Sequence, residues 1–338
     1  MQFKHLLRSR LALLYGVVSL LVTVIIIVIV SVLIWRQSKP TEPLDVTFTG
    51  PIREQAQQYK FIKPLLMYEI GDKADFADLL PLEKQLQTKI NELISNRQAS
   101  KVSVYIRNID SGHWTGVNEN EQYDPASLMK VTLMIAYLKF AESRPEMLTD
   151  KLSYSGNADQ LEHYQSQHDL VDGQTYTADA LIKDMIVKSG NDSTKSLFDH
   201  VDKNELYRIY TDLGFQLPTS TAPEAVSPKQ YASLFRILYG STYLPRVWSE
   251  QSLSLLSRTE FTKGIVAGVP GGTVVAHKFG ERTLISNDKK EVGLHDCGIV
   301  YGEKKTHLIC IMTTGTNFES LEKVLKDISQ LTYEFFNR

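Results

Sequence analysis

From Leu11 to Trp35 no residue is charged, and Val, Ile and Leu dominate the run. As a helix these 25 residues span about 37 Å at ~1.5 Å per residue, more than the ~30 Å hydrocarbon core of a bilayer. The run leaves through Leu33-Ile34-Trp35-Arg36, an interfacial aromatic followed by a basic stop. A cleaved signal peptide has a shorter apolar region and ends in small residues, so an uncleaved anchor over 11–35 is the expectation. Lys4, Arg8 and Arg10 precede the span, against Arg36 and Lys39 after it. That bias places residues 1–10 in the cytoplasm and the chain beyond about residue 36 outside. Residues 36–75 then turn polar, with Pro40, Pro43 and Pro51 in a semi-extended tether, until Phe61–Met67 becomes apolar enough to dock.

From residue 76 the apolar positions alternate between two periods. Leu82, Leu86, Ile90 and Leu93 recur with charges between them, which predicts a helix over Leu80–Ser95. Val102, Val104 and Ile106 alternate with polar neighbours over Lys101–Asn108. Asp110-Ser111-Gly112 then reads as a turn and Trp114–Val117 as the returning strand. Helical spacing follows over Leu128–Ala141, Ala178–Val187, Asp192–Val201, Asn204–Leu213 and Pro228–Tyr239. Period two resumes over Thr273–Lys278, Gly293–Tyr301 and His307–Thr313, and an amphipathic helix over about Glu319–Phe336 closes the chain. This order predicts an α+β domain over 76–338 whose two ends share one antiparallel sheet.

Composition narrows the possible functions. A net charge of −2 and the absence of a long basic block argue against a nucleic-acid partner. Two cysteines are too few for a disulfide framework. Cys297 and Cys310 lie in neighbouring apolar runs and could face each other across paired strands, but buried free thiols are the favoured reading. No Cys/His cluster has metal-ligand spacing, so neither a metal nor a cofactor is expected; His163 and His168 read as solvated loop residues.

The chemistry begins at Tyr123-Asp124-Pro125-Ala126-Ser127-Leu128-Met129-Lys130. A Ser-x-x-Lys pair on a helix sets a hydroxyl and an amine one turn apart on one face. Asp124-Pro125 is an extended lead-in, so Ser127 lies at the helix start, near free N–H groups and the positive end of the dipole. Lys130 is placed to take its proton. Such a pair is common by chance, and two further motifs change its weight. Ser189-Gly190-Asn191 falls between two predicted helices, and His277-Lys278-Phe279-Gly280 ends a predicted strand after the glycine-rich run Gly264–Ala276. Alone, the first would be a turn and the second a solvated strand end.

In this order, about 60 and about 87 residues apart, the three match the Ser-x-x-Lys, Ser-Asp-Asn and Lys-Thr-Gly set. From about residue 82 to the C-terminus the chain resembles the class A β-lactamase and penicillin-binding serine hydrolase superfamily. The likeness extends to Val117-Asn118-Glu119-Asn120, to Ser227–Ala232 and to Gly264–Gly280. It implies an antiparallel sheet of about five strands flanked by helices, with an all-helical subdomain. It also implies that Ser127 attacks a carbonyl and that Lys130, held neutral by burial and neighbouring cations, takes its proton. Ser189 would relay a proton to the leaving nitrogen, with Lys278 holding that hydroxyl. Asn191 would offer its amide to the substrate's side-chain carbonyl, and the N–H groups of Ser127 and Glu281, just after Gly280, would hold the oxyanion.

Two departures bear on turnover. The family's water-activating glutamate sits in an Ω-shaped loop, which belongs between Leu213-Gly214 and Ser227-Pro228. Here the stretch 215–226 is about a dozen residues too short and lacks Glu-x-x-x-Asn. Glu224, its only carboxylate, reads as a loop acid. Phe279 stands where the family has a threonine hydroxyl for the substrate carboxylate; Arg282 or Thr283 could compensate, beside a repulsive Glu281.

These readings converge on a membrane-anchored extracytoplasmic serine hydrolase, acting through an acyl-serine on β-lactam or peptidoglycan-type amides. A D,D-peptidase-like cell-wall enzyme with weak or no β-lactam turnover is the alternative, and a catalytically quiet wall-binding domain a second. The expected partners are a cell-wall peptide or β-lactam-like small molecule, and the membrane through the N-terminal helix.

Overall fold

The computed structural model describes residues 52–53, 59–67, 76–156, 163–164, 166, 168–215, 225–286 and 289–338. The anchor read over Leu11–Trp35, most of the tether and Glu224 lie outside the described residues. No described helix is long and apolar enough to cross a membrane.

Strand β1 (Ile52–Arg53) pairs antiparallel with β2 (Leu65–Met67). Between them the chain docks on the main body. Glu250 accepts the backbone N–H groups of Lys60, Phe61 and Ile62 at 2.8, 2.8 and 3.0 Å. One carboxylate thus satisfies three successive amides while the Phe61 and Ile62 side chains are buried.

Helix α1 (Leu80–Ser95) carries Pro81 in its first turn and buries Leu82, Leu86, Ile90 and Leu93, the positions its period marks. It leads into the hairpin β3 (Lys101–Asn108) and β4 (Trp114–Val117). Helix α2 (Lys130–Ala141) is buried on all sides except at Lys139. A helix apolar all round belongs in a core, and it forms the spine of the helical block. Short strands β5 (Lys151–Ser153) and β6 (Thr175–Thr177) pair beside it. The block continues with α3 (Ala178–Val187), α4 (Asn191–His200), α5 (Lys203–Asp212), α6 (Pro228–Gly240) and α7 (Arg246–Leu256). Strands β7 (Val274–Ser286), β8 (Lys289–Tyr301) and β9 (Thr306–Gly315) follow, and α8 (Phe318–Asn337) ends the chain.

The five-stranded sheet runs β4-β3-β9-β8-β7, with every neighbouring pair antiparallel. The first hairpin and the last three strands therefore join at its centre, as the α+β reading expects. Helices α1 and α8 share one apolar cluster with one face, and the helical block shares the other. Three features differ from the sequence expectation. Helix α7 is not among the expected elements because three serines interrupt its apolar period. Strands β7 and β8 are 13 residues each and project past Lys278, because the hairpin beyond it is half-exposed and lacks a clean apolar alternation. Cys297 and Cys310 are not free thiols: the β8–β9 register sets them directly opposite, with Cα atoms 3.9 Å apart, and they form a disulfide.

Two buried histidines make the fold acid-sensitive. His295 accepts the Thr313 N–H on Nδ1 (3.2 Å) and donates from Nε2 to the Asp124 carbonyl (3.0 Å), a pattern only the neutral ring can make. Burial pulls its pKa down to about 4. His307 stacks on Phe336, its ring nitrogens without hydrogen-bond partners, and burial pulls it down to about 3. Between these values and the unfolded value of 6.5, the unfolded chain binds the protons and the fold does not. Stability is therefore lost as pH falls from about 6.5, by up to about 1.4 kcal/mol per unit for each histidine. Denaturant melts of His307→Leu should show a pH slope shallower by about that amount between pH 6 and 4; an unchanged slope would remove His307 from the account.

Candidate active site

Ser127 lies one turn ahead of the helix rather than in it. Residues Ala126–Met129 form a 3₁₀ turn that leads into α2. At three residues per turn, positions i and i+3 eclipse, which stacks Ser127 and Lys130 on one face more directly than an α-helix would. The turn is held from several sides. Asp124 Oδ1 accepts the Ala126 N–H (2.9 Å), and the Pro125 carbonyl accepts that of Leu128 (3.0 Å). Tyr231 on α6 donates to the Leu128 carbonyl (2.7 Å), while His295 fixes Asp124 from the sheet. Ala126 takes the left-handed conformation, φ 47°.

The second motif meets the first through Lys130. Ser189 and Gly190 link α3 to α4, and Asn191 opens α4. Lys130 Nζ donates to the Ser189 carbonyl (2.6 Å), the Ser189 hydroxyl (3.1 Å) and Asn191 Oδ1 (2.7 Å). The carbonyl and the amide oxygen can only accept, whereas the hydroxyl can accept or donate. A neutral Lys130 can therefore keep two N–H bonds and turn its lone pair toward a proton donor. Ser189 has φ 59°, left-handed for a serine.

The third motif brings a second lysine to the same hydroxyl. Lys278 on β7 is fully buried; its Nζ donates to Ser189 Oγ (2.9 Å) and the Phe279 carbonyl (3.0 Å) and lies 4.3 Å from the centre of the Phe279 ring. His277, its neighbour, points to a different partner, the buried Asp296 (2.8 Å). Strand β7 is the sheet edge that borders the Ser127 turn. A Cβ at Gly280 would lie 2.8 Å from the Pro125 carbonyl oxygen and 3.1 Å from the Leu128 nitrogen. Only glycine lets the strand and the turn touch, and this contact sets Glu281 beside Ser127.

A cavity of about 770 Å³ opens over these groups, lined by Ser127, Lys130, Asn191, Glu281, Thr283 and Lys290 among others. Phe279 turns away from it and stacks on Phe261, with ring centres 4.3 Å apart. Thr283 therefore supplies a hydroxyl on the cavity wall where Phe279 offers none. Arg282 borders the cavity, but its Nε pairs with Asp124 Oδ2 at 3.2 Å. The Glu281 carboxylate accepts the backbone N–H groups of His163 and Tyr164, both at 2.9 Å, and so pins a distant loop to the cavity edge. His163 and His168 are exposed loop residues, as expected, and each also makes a specific contact. His163 lines the cavity and stacks on Phe318, and His168 Nδ1 meets Asp184 Oδ1 at 2.8 Å.

Lys130, Ser189, Asn191 and Lys278 meet through hydrogen bonds beside the cavity that Ser127 lines, whereas His277 and Phe279 face elsewhere; two supporting carboxylates lie outside the three motifs. Glu281 was read for its backbone alone. Asp184 sits on α3 among Leu181, Ile182, Met185 and Ile186, and a carboxylate on an otherwise apolar face was the signal available. Among the described residues no group of three His, Cys, Asp or Glu side chains could hold a metal ion. Chemically, the site joins a hydroxyl to an amine, a second hydroxyl shared by two lysines, and two main-chain segments at a strand edge. That combination suits proton transfer out of Ser127 and into a leaving group.

A family model described as the β-lactamase enzyme family matches residues 85–336. No curated protein matches the chain in sequence. Among solved structures, it is similar to the TLA-3 extended-spectrum β-lactamase at 19% identity and a TM-score of 0.67, covering 76% of this chain and 100% of that one. A mutant of PBP-A in an acyl-enzyme complex with penicillin G is 21% identical, with a TM-score of 0.62 over 75% of this chain and 96% of its own. A class A β-lactamase from Mycobacterium abscessus is 17% identical, with a TM-score of 0.63 over 75% and 98%. At such identities the likeness establishes the fold alone.

Proposed function

Since the chain belongs to the β-lactamase enzyme family, we propose that it is a membrane-anchored extracytoplasmic serine hydrolase that acylates Ser127 with β-lactams and peptidoglycan-type amides and releases them slowly. The observation that carries this reading is the meeting of Lys130 and Lys278 on the Ser189 hydroxyl. Ser127 Oγ attacks the carbonyl carbon as Lys130 takes its proton. The N–H groups of Ser127 and Glu281 receive the oxyanion. The C–N bond breaks as the leaving nitrogen gains a proton through Ser189, whose oxygen two lysine donors can hold. Water then cleaves the acyl-serine ester, returning the hydroxyl and a carboxylic acid.

Slow release is favoured by the sequence of the stretch 215–226, which lacks Glu-x-x-x-Asn. Among the described residues lining the cavity, Glu281 is the sole carboxylate, and both its oxygens take backbone amides. A wall-directed D,D-peptidase-like enzyme fits these features better than an efficient β-lactamase. The Cys297–Cys310 disulfide and the apolar Leu11–Trp35 run support an oxidising compartment outside the membrane.

Fluorescent penicillin offered to the full-length chain in detergent tests the proposal. An adduct on Ser127 that survives a chase of many minutes is expected, and Ser127→Ala should abolish it. Turnover within seconds would replace this reading with a β-lactamase. No adduct, or normal labelling of Ser127→Ala, would end the acyl-serine proposal.

A further inference from the structure

Gly190 has φ −59° and ψ 118°, a conformation open to any residue, so its bare backbone is not a conformational need. The need is space. A Cβ there would lie 2.0 Å from Asp184 Oδ2 and 3.3 Å from His168 Cε1. A carboxylate already fills the position into which a side chain at 190 would point, and it comes from α3 instead of from the turn. Asp184 is buried. Its Oδ2 accepts the Ser193 hydroxyl at 2.6 Å, its Oδ1 meets His168 Nδ1 at 2.8 Å, and its backbone carbonyl accepts the Gly190 N–H at 3.3 Å. One residue thus grips the chain just before and just after Asn191.

We infer that Asp184 is the positioning residue that holds Ser189 and Asn191 against Lys130, its carboxylate replacing from a neighbouring helix the one carried by the middle residue of Ser-Asp-Asn. The inference rests on the acyl-serine reading of the site. Left-handed backbone at a serine is unfavourable and persists only where the surroundings enforce it. Ser189 is such a residue, and it supplies two of the Lys130 contacts, with Asn191 supplying the third. A turn released by loss of Asp184 moves the proton acceptor and the proton relay together, and a displacement of about 1 Å costs on the order of a hundredfold in rate.

The test is an exchange of the carboxylate between the two positions in the full-length chain. Asp184→Ala empties the space, and Gly190→Asp forces two carboxylates into it. Each is expected to slow the first-order acylation step with fluorescent penicillin about thirtyfold, and the double variant to recover to within about threefold of wild type. A purely structural defect would lower the fraction of protein that labels and leave the rate constant of the labelling fraction unchanged. Wild-type rates in Asp184→Ala, or a double variant slower than both singles, overturn the inference. If a single variant fails to fold, Asp184→Asn and Ser193→Ala probe the same contact; about fivefold slowing in each supports it and unchanged rates refute it. Wild-type protein that takes no label defeats the acyl-serine reading instead. Thermal unfolding of the four proteins then decides on Asp184, since the double variant must regain the melting temperature that the singles lose.

Discussion

Methionine in place of Lys130 is expected to slow acylation of Ser127 by fluorescent penicillin about a thousandfold, within the range a positioned base contributes. Methionine keeps the length and apolar stem of the side chain in a position that is 5% exposed, so the helix core should hold. What disappears is the only nitrogen that links the Ser127 turn to both Ser189 and Asn191 among the described contacts. The loss should fall on the first-order acylation step, with penicillin binding before acylation changed by a few-fold at most. Rapid-quench labelling separates the two. A Lys130→Met protein that acylates within about tenfold of wild type would show that another group takes the proton.

Alanine at Gly280 should be nearly as damaging, for a different reason. Its Cβ would meet two main-chain atoms, the Pro125 oxygen at 2.8 Å and the Leu128 nitrogen at 3.1 Å, and a side-chain carbon of Leu128 at 3.1 Å. Main-chain atoms of a turn fixed by Asp124, Tyr231 and His295 cannot retreat without carrying Ser127 with them. Either the strand edge or the turn must shift, and the N–H groups of Glu281 and Ser127 could then not converge on one oxygen as the proposed mechanism requires. A loss of about a hundredfold in acylation is expected from a misplacement of this kind, with overpacking lowering stability by about 1–3 kcal/mol. Near-normal acylation by Gly280→Ala would mean that the oxyanion is held elsewhere.

Period alone located α1 and α3 to the residue, because each sets one apolar stripe against a single partner layer. It was less informative where one segment serves two purposes. Strand β7 is core as far as Phe279 and cavity wall beyond it, so its apolar alternation stops seven residues before the strand does at Ser286. The Ser127 turn reads as helix in the sequence because 3₁₀ and α spacing differ by a fraction of a residue over four positions. The three motifs were legible as ordered pairs of reactive side chains. Asp184 and Glu281 were not, since what each does depends on backbone N–H groups or on the empty space at a glycine. The disulfide depends on register, which a run of Ile, Val and Cys does not specify.

Ala126 and Ser189 both adopt left-handed backbone, and they stand immediately beside or at the two hydroxyls of the site. Each conformation costs on the order of 1–3 kcal/mol, a sizeable share of the 5–15 kcal/mol by which domains are ordinarily stable. Selection for a sturdier fold would favour glycine at either position, and at Ser189 it would remove outright the hydroxyl proposed as the relay. At Ser189, thermal robustness and the proposed reactivity therefore pull in opposite directions.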